Sequence, residues 1–184
     1  IVNSEMPSSV KVAAKFKNKR EVPRADGKGT STIYEYGPRQ VQNRNKAKAQ
    51  RVEKLRGTIG KLRKQVKSDL ASDDPKTRLS ALAVALIDQT YERVGNDKSA
   101  SENGHYGITT LTVDHIKMGK GKATLSYVGK SGVEHTKTVT DKPTITALKA
   151  AMKGRGKKDR LLCDGADCTV RARDVNAYLR KFDI

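Results

Sequence analysis

The sequence contains no tryptophan, and its two phenylalanines and six tyrosines make up only 4% of the 184 residues. Its two cysteines, Cys163 and Cys168, are too few for a disulfide framework, and with no histidine close to them in sequence they give no sign of a zinc site. No apolar run approaches the roughly 20 residues that a membrane-spanning helix needs, and no signal peptide is visible. We therefore expect an intracellular protein with reduced cysteines, no metal and no membrane anchor.

Acidic residues are also scarce, because 20 Asp and Glu stand against 38 Lys and Arg. The resulting net charge of +18 and isoelectric point near 10 favour a polyanionic partner, since basic side chains that bind phosphates release condensed counterions. Nucleic acid is the first expectation. An anionic membrane surface and a ribosomal or packaging role are the alternatives that charge alone leaves open.

The apolar residues cluster in periodic segments, so a modest core can form although charged residues are 32% of the chain. Strand-like patterns at 10–16 and 32–36, with turn residues at 26–29, predict a small β-rich module over residues 1–37. Residues 39–67 are very basic and predict a helix that Gly57 and Gly60 weaken. Its one apolar stripe consists of Val52, Leu55, Ile59, Leu62 and Val66.

A second helix begins at Asp74, which can cap it, and at Pro75, which suits a first helical position. The pattern predicts that this helix continues to Gly95. At 100° per residue, Arg93 falls on the apolar side of the helix, which calls for either an internal carboxylate or an external anion such as phosphate. Periodicity by itself favours a salt bridge at the edge of the core.

After Gly107 the hydrophobic period changes to two, which predicts a three-stranded antiparallel meander at 115–118, 123–128 and 133–139. Lys130 lies at the tip of its second turn, where an isolated lysine is usually a solvated side chain. Short helices are predicted at 144–152 and 173–182. The fold class is therefore α+β, with the N-terminal module followed by a mainly helical domain over residues 38–184.

Five short segments resemble, in order, motifs of the type IB DNA topoisomerases of the small poxvirus and bacterial kind. They are Tyr34–Gly37, Val41–Asn45, Tyr91–Asn96, Glu102–Leu111 and Tyr127–Gly132, within a match that runs from about Thr30 to Ile184. The resemblance implies a catalytic domain that closes around duplex DNA as a monomeric clamp. It also implies relaxation of supercoils by transient single-strand cleavage through a 3′-phosphotyrosyl intermediate, with no metal, nucleotide or small-molecule cofactor.

The resemblance assigns catalytic roles to Arg93, which would stabilise the charged phosphate, and to Lys130, which would protonate the departing 5′ oxygen. It implies DNA contacts for Tyr34, Tyr36, Arg44, Asn45, Gly95 and Asn96. Alternate packing on a strand explains one of the two tyrosines about as well. Such a protein would work wherever the DNA is, in cytoplasm or nucleoid, nucleus or virion.

The family pattern continues with a second arginine, a histidine and a tyrosine nucleophile, and none of these matches a residue up to Ile184. Tyr178 lies within a helix and is not expected to be the nucleophile, and the three histidines do not match the family's histidine. We therefore expect this chain by itself to bind DNA without cleaving it. A non-catalytic duplex-binding protein of the same fold is the alternative, and a tyrosine recombinase is disfavoured by the segments Tyr34–Gly37 and Val41–Asn45.

Overall fold

The computed structural model describes residues 16–24, 27, 29–165 and 168–183. The chain divides between Leu55 and Arg56 into two compact units, which are treated separately below. The domain boundary predicted after residue 37 stays a prediction. Most of the strand predicted at 10–16 lies outside the described residues.

The first unit contains a two-stranded antiparallel sheet of β1 (Phe16–Pro23) and β2 (Thr30–Tyr36), in which Arg20 is paired with Ile33. The turn between them is closed by Arg24 N–H, which donates to the carbonyl of Gly29 at 3.0 Å. Gly27 adopts a left-handed conformation there, with φ of 69°. The predicted strand at 32–36 is confirmed.

Helix α1 (Pro38–Asp69) is continuous, so Gly57 and Gly60, which weaken it, do not break it. Each glycine costs about 1 kcal/mol in a helix, and the many Lys, Arg and Leu residues around them are good helix formers that outweigh that cost. The predicted stripe is only half correct. Leu62 and Val66 are buried, whereas Val52 and Leu55 are 47% and 37% exposed.

Helix α2 (Pro75–Thr90) begins as predicted, with an Asp74 carboxylate oxygen accepting from Thr77 N–H at 2.8 Å. Every residue from Leu79 to Leu86 is buried, which makes α2 the central element of the second unit. The predicted end at Gly95 is wrong. The helix stops at Thr90, because Tyr91 turns into the left-handed region with φ of 59° while its N–H still bonds to the carbonyl of Ile87.

The predicted three-stranded meander is confirmed as a sheet in which consecutive strands are neighbours. The two predicted helices follow it, with one short hairpin between them that the pattern did not indicate. A short helix between α2 and the meander was likewise not predicted. The remaining elements are α3 (Asp97–Asn103), β3 (Ile116–Gly119), β4 (Lys122–Val128), β5 (Glu134–Val139), α4 (Lys142–Met152), β6 (Cys163–Asp164), β7 (Cys168–Thr169) and α5 (Ala172–Arg180).

The core of the second unit packs α2 against α4, α5 and the meander. Its fully buried large side chains come from all of these elements and from the loops that join them. They include Leu82, Leu86, Ile108, Leu111, Leu125, Leu148, Leu161, Leu162 and Val175. The fold is α+β, as predicted. Within the described residues, no helix is both long and apolar enough to cross a bilayer.

Candidate active site

The second unit contains a cleft of about 570 Å³ between the segment that follows α2 and the turn that joins β4 to β5. Arg93 lines it from the first side and Lys130 from the second, and both side chains are exposed. Within the described part of the chain, neither forms an ion pair or a side-chain hydrogen bond. Two cations that have no side-chain partner among the described residues therefore line one cavity, which suits an anionic ligand.

Arg93 reaches this cleft because α2 ends early. Tyr91 redirects the chain, so Arg93 is exposed and does not point into the buried stripe, which corrects the orientation predicted from helical periodicity. The main chain is then fixed by tertiary hydrogen bonds. The carbonyl of Arg93 accepts from Ile108 N–H at 2.9 Å, and the carbonyl of Val94 accepts from Thr109 N–H at 2.6 Å.

Lys130 lies at the tip of the hairpin, as the sequence predicted. The turn is closed by Gly129 N–H donating to the carbonyl of Val133 at 2.7 Å, and Ser131 adopts a left-handed conformation with φ of 65°. The two sides of the cleft are also tied directly, because Tyr106 N–H donates to the carbonyl of Val128 at 2.8 Å. The lysine is thus presented on an anchored turn.

A buried carboxylate lies beside these cations. Glu92 is only 8% exposed, and its Oε1 is 2.8 Å from Nδ1 of His135 and 3.3 Å from Nζ of Lys137. Burial opposes ionisation of Glu92, but interactions with Tyr127, His135 and Lys137 outweigh it and hold the pKa below its usual value. Glu92 is therefore a charged, internally compensated group rather than a partner of Arg93.

The sequence missed Glu92 and His135 as site residues. His105 and His135 both line the cleft, although neither matches the histidine of the family motif. On β5, positions 135 and 137 share one face by strand alternation, so the pattern could have placed His135 and Lys137 together. Nothing in the local sequence pointed to Glu92 as their partner.

Tyr178 is buried in α5, and its hydroxyl donates to Oδ2 of Asp69 at 2.6 Å. Burial and this carboxylate raise the pKa of Tyr178 far above its ordinary value, which disfavours the phenolate that a nucleophile requires. These contacts give Tyr178 a structural role in the packing of α5. The expectation that it is not the nucleophile stays a prediction.

The predicted DNA contacts fall into two groups. Gly95 and Asn96 line the cleft with Arg93, and Asn96 also caps α3 by accepting from Ser99 N–H at 3.2 Å. In the first unit, Cζ of Arg44 lies 4.5 Å from the ring centre of Tyr36. Tyr34 lies two residues before Tyr36 on β2, and Asn45 is exposed on α1.

Comparison with known proteins gives the family of the chain. Residues 37–183 match the model of the eukaryotic DNA topoisomerase I catalytic core. A DNA topoisomerase 1B of Acanthamoeba polyphaga mimivirus is 31% identical over 167 residues, covering 85% of this chain and 48% of the viral protein. The human mitochondrial DNA topoisomerase I is 28% identical over 116 residues, covering 59% of this chain and 19% of that protein.

The chain belongs to the DNA topoisomerase I family, and its matched region is the catalytic core. A DNA topoisomerase 1 of Mycosarcoma maydis is also similar, with 29% identity over 122 residues that cover 64% of this chain and 12% of that protein. The chain thus spans about half the length of its viral relative and less of the others.

Proposed function

We propose that the protein carrying this chain is a type IB topoisomerase that relaxes supercoiled duplex DNA. The observation that supports this most is that Arg93 and Lys130, two cations with no side-chain partner among the described residues, line one cleft in a chain that belongs to the DNA topoisomerase I family. A phosphodiester is an anion that needs charge stabilisation at its nonbridging oxygens and a proton at its leaving oxygen. These two side chains offer one group for each task.

In the proposed reaction, a tyrosine hydroxyl gives up its proton to water and attacks the phosphorus, and a 3′-phosphotyrosyl bond forms as the bond to the 5′ oxygen breaks. In religation the departing tyrosine oxygen takes a proton back from water. The planar guanidinium of Arg93 donates two hydrogen bonds to the nonbridging oxygens, where negative charge increases. Lys130 gives its proton to the departing 5′ oxygen and recovers it when the 5′ hydroxyl attacks in religation. We assign the attacking tyrosine to no residue of this chain.

The duplex would be held from its phosphates, because the net charge of +18 supplies strong attraction to a polyanion. Gly95 and Asn96 would contact the phosphate beside Arg93. Tyr34, Tyr36, Arg44 and Asn45 would contact the backbone from the first unit. The family likeness further implies a monomer that closes around DNA and needs neither metal nor nucleotide, acting where the DNA is kept.

The test is relaxation of supercoiled plasmid by the whole gene product, in EDTA and without ATP. We expect relaxed topoisomers from the unchanged protein and a rate at least about 100-fold lower from Arg93→Ala. Duplex binding without any relaxation would contradict the enzyme and favour a non-catalytic DNA-binding protein of the same fold. Relaxation that Arg93→Ala leaves unchanged would show that this cleft is not the active site.

A further inference from the structure

We propose that His135, held by the buried carboxylate of Glu92, is a positioning residue that sets the location of Lys130. The inference rests on the proposed function, in which Lys130 is the general acid. A long, flexible cation at a hairpin tip needs neighbouring groups that fix its location. Lys130 has no side-chain partner in the described part of the chain, so its position depends on the backbone of its turn.

His135 is attached to the segment that carries the proposed catalytic arginine. Glu92 directly precedes Arg93, and its Oε1 lies 2.8 Å from Nδ1 of His135 on β5. Both side chains are largely buried, at 8% and 26% exposure, so solvent screens their interaction less than it would a surface pair. Lys137, at 3.3 Å from the same oxygen, supplies a positive charge.

The position of the His135 ring is also fixed by an aromatic neighbour. It stacks on the ring of Tyr127, with centres 5.4 Å apart and an interplanar angle of 10°. Tyr127 is itself buried in β4, directly opposite His135 in the strand register. The ring of His135 is therefore held on one edge by a carboxylate and on one face by an aromatic side chain.

The same ring also lies against the turn that carries Lys130. A Cβ atom placed on Gly129 would lie 2.5 Å from Nε2 and 2.6 Å from Cδ2 of His135, so the ring lies directly against the residue that precedes Lys130. The φ of Gly129 is −97°, which other residues also adopt, so the backbone conformation does not require glycine. The close approach of the His135 ring does require it. The ring thus supports the backbone from which Lys130 extends.

These contacts link the two proposed catalytic groups through one continuous path, from Arg93 to Glu92, His135, Gly129 and Lys130. A shift of about 1 Å in a catalytic group can cost on the order of 100-fold in rate. Loss of the His135 ring would leave space beneath Gly129 into which the turn could move. The expected consequence is a defect in proton delivery, with little change in DNA binding.

The informative variant is His135→Asn, because the asparagine amide can still donate to Glu92 from near the position of Nδ1 but leaves out the rest of the ring. In the whole gene product, we expect the cleavage rate of this variant on a normal duplex to fall about 10- to 100-fold. A duplex with sulfur in place of the bridging 5′ oxygen has a leaving group that needs no proton, and on it the rate should return to near that of the unchanged protein. Glu92→Gln should show the same selective rescue with a smaller defect.

His115→Asn is the matched control. His115 is also a partly buried histidine beside Tyr127, with ring centres 6.2 Å apart, but it does not lie against Gly129. Any loss that it causes through stability should be the same on the oxygen and sulfur substrates. Thermal unfolding of each variant shows which of them are folded at the assay temperature.

A double variant separates the inference from the proposed function. In a Lys130→Ala background, adding His135→Asn should slow cleavage by no more than about twofold, because the group that it positions is already absent. Equal defects on both substrates, or an effect that multiplies with Lys130→Ala, would overturn the positioning role. If Lys130→Ala itself cleaves normally or is not rescued by sulfur, the general-acid assignment fails instead.

Discussion

A Cβ atom placed on Gly107 would lie 2.6 Å from Cα of Gly95, closer than such atoms approach in folded proteins. The two glycines bring the segment after α2 against the loop that precedes β3. Gly107 has an extended backbone with φ of −150°, so its requirement is for space and not for an unusual conformation. This close approach is what carries Arg93 to the cleft.

Gly107→Ala is therefore expected to be destabilising. The added methyl group would meet backbone atoms of Gly95 and the carbonyl oxygen of Arg93 at 2.8 Å, and backbone cannot move away as a flexible side chain can. We expect a loss of about 1–3 kcal/mol in the free energy of unfolding. Urea unfolding measures it. A variant as stable as the unchanged protein would mean that the two segments are not in this contact.

Gly60→Ala is expected to act in the opposite direction. Gly60 is exposed in the middle of α1, and a Cβ atom there would meet nothing within 4 Å. Alanine should stabilise the helix by up to about 1 kcal/mol, through its higher helix propensity and the lower entropy of the unfolded chain. The same urea titration provides the comparison with Gly107→Ala, and a loss of stability would contradict a regular helix at this position.

The sequence predicted those parts of the fold that depend on contacts between residues close together in the chain. Asp74 and Pro75 define the start of α2 through contacts within one turn, and strand alternation defines the meander and the place of Lys130 at its tip. These features need no knowledge of distant residues.

Features that depend on tertiary contacts could not be predicted from the local sequence. Tyrosine has no preference for the left-handed conformation that ends α2 at Tyr91, and the segment that follows is fixed by hydrogen bonds from Ile108 and Thr109 further along the chain. The pair of Glu92 and His135 is separated by 43 residues, so nothing local could indicate it. The assignments of Arg93 and Lys130 rested on resemblance, because each alone looks like an ordinary surface cation.

Asp114 should make stability depend on pH in the acid range. Hydrogen bonds from Lys158, at 2.7 Å, and from Thr112 lower its pKa to about 2, against an ordinary value of 3.8. A carboxylate with a depressed pKa in the folded state contributes stability above its unfolded pKa and loses it as pH falls towards the folded pKa. The window is therefore from about pH 5 down to about pH 2.

We expect Asp114→Asn to lower the free energy of unfolding at pH 7 by about 1 kcal/mol or less, because the Lys158 end of the pair is 90% exposed and solvent screens it. The difference from the unchanged protein should disappear as pH approaches 2. Asp73→Asn, in the exposed turn before α2, serves as the control. A deficit of constant size across this range would mean that the loss comes from packing and not from the charge.

Arg44 is expected to contribute to duplex affinity through a phosphate contact that is independent of sequence. Its guanidinium lies over the ring of Tyr36 in the same unit, and this contact limits the conformational freedom of the arginine side chain. Arg44→Ala should weaken binding to all duplexes alike and reduce the slope of log affinity against log salt by about 1. Arg44→Lys should keep the slope but not the whole affinity, since it keeps only the charge. An unchanged slope for Arg44→Ala would argue against a phosphate contact.

Arg93→Ala distinguishes a group that acts in the transition state from one that simply holds DNA. The guanidinium has no ion-pair partner among the described residues, so its removal should leave the fold and most of the duplex contacts intact. We expect single-turnover cleavage to slow by at least about 100-fold, with the dissociation constant for duplex DNA changed by no more than about twofold. Arg93→Lys should recover only part of the rate, because an ammonium keeps the charge but not the two parallel donors. Equal losses in rate and affinity would instead make Arg93 a binding residue, and the cleft would then need another group to stabilise the pentacoordinate phosphate.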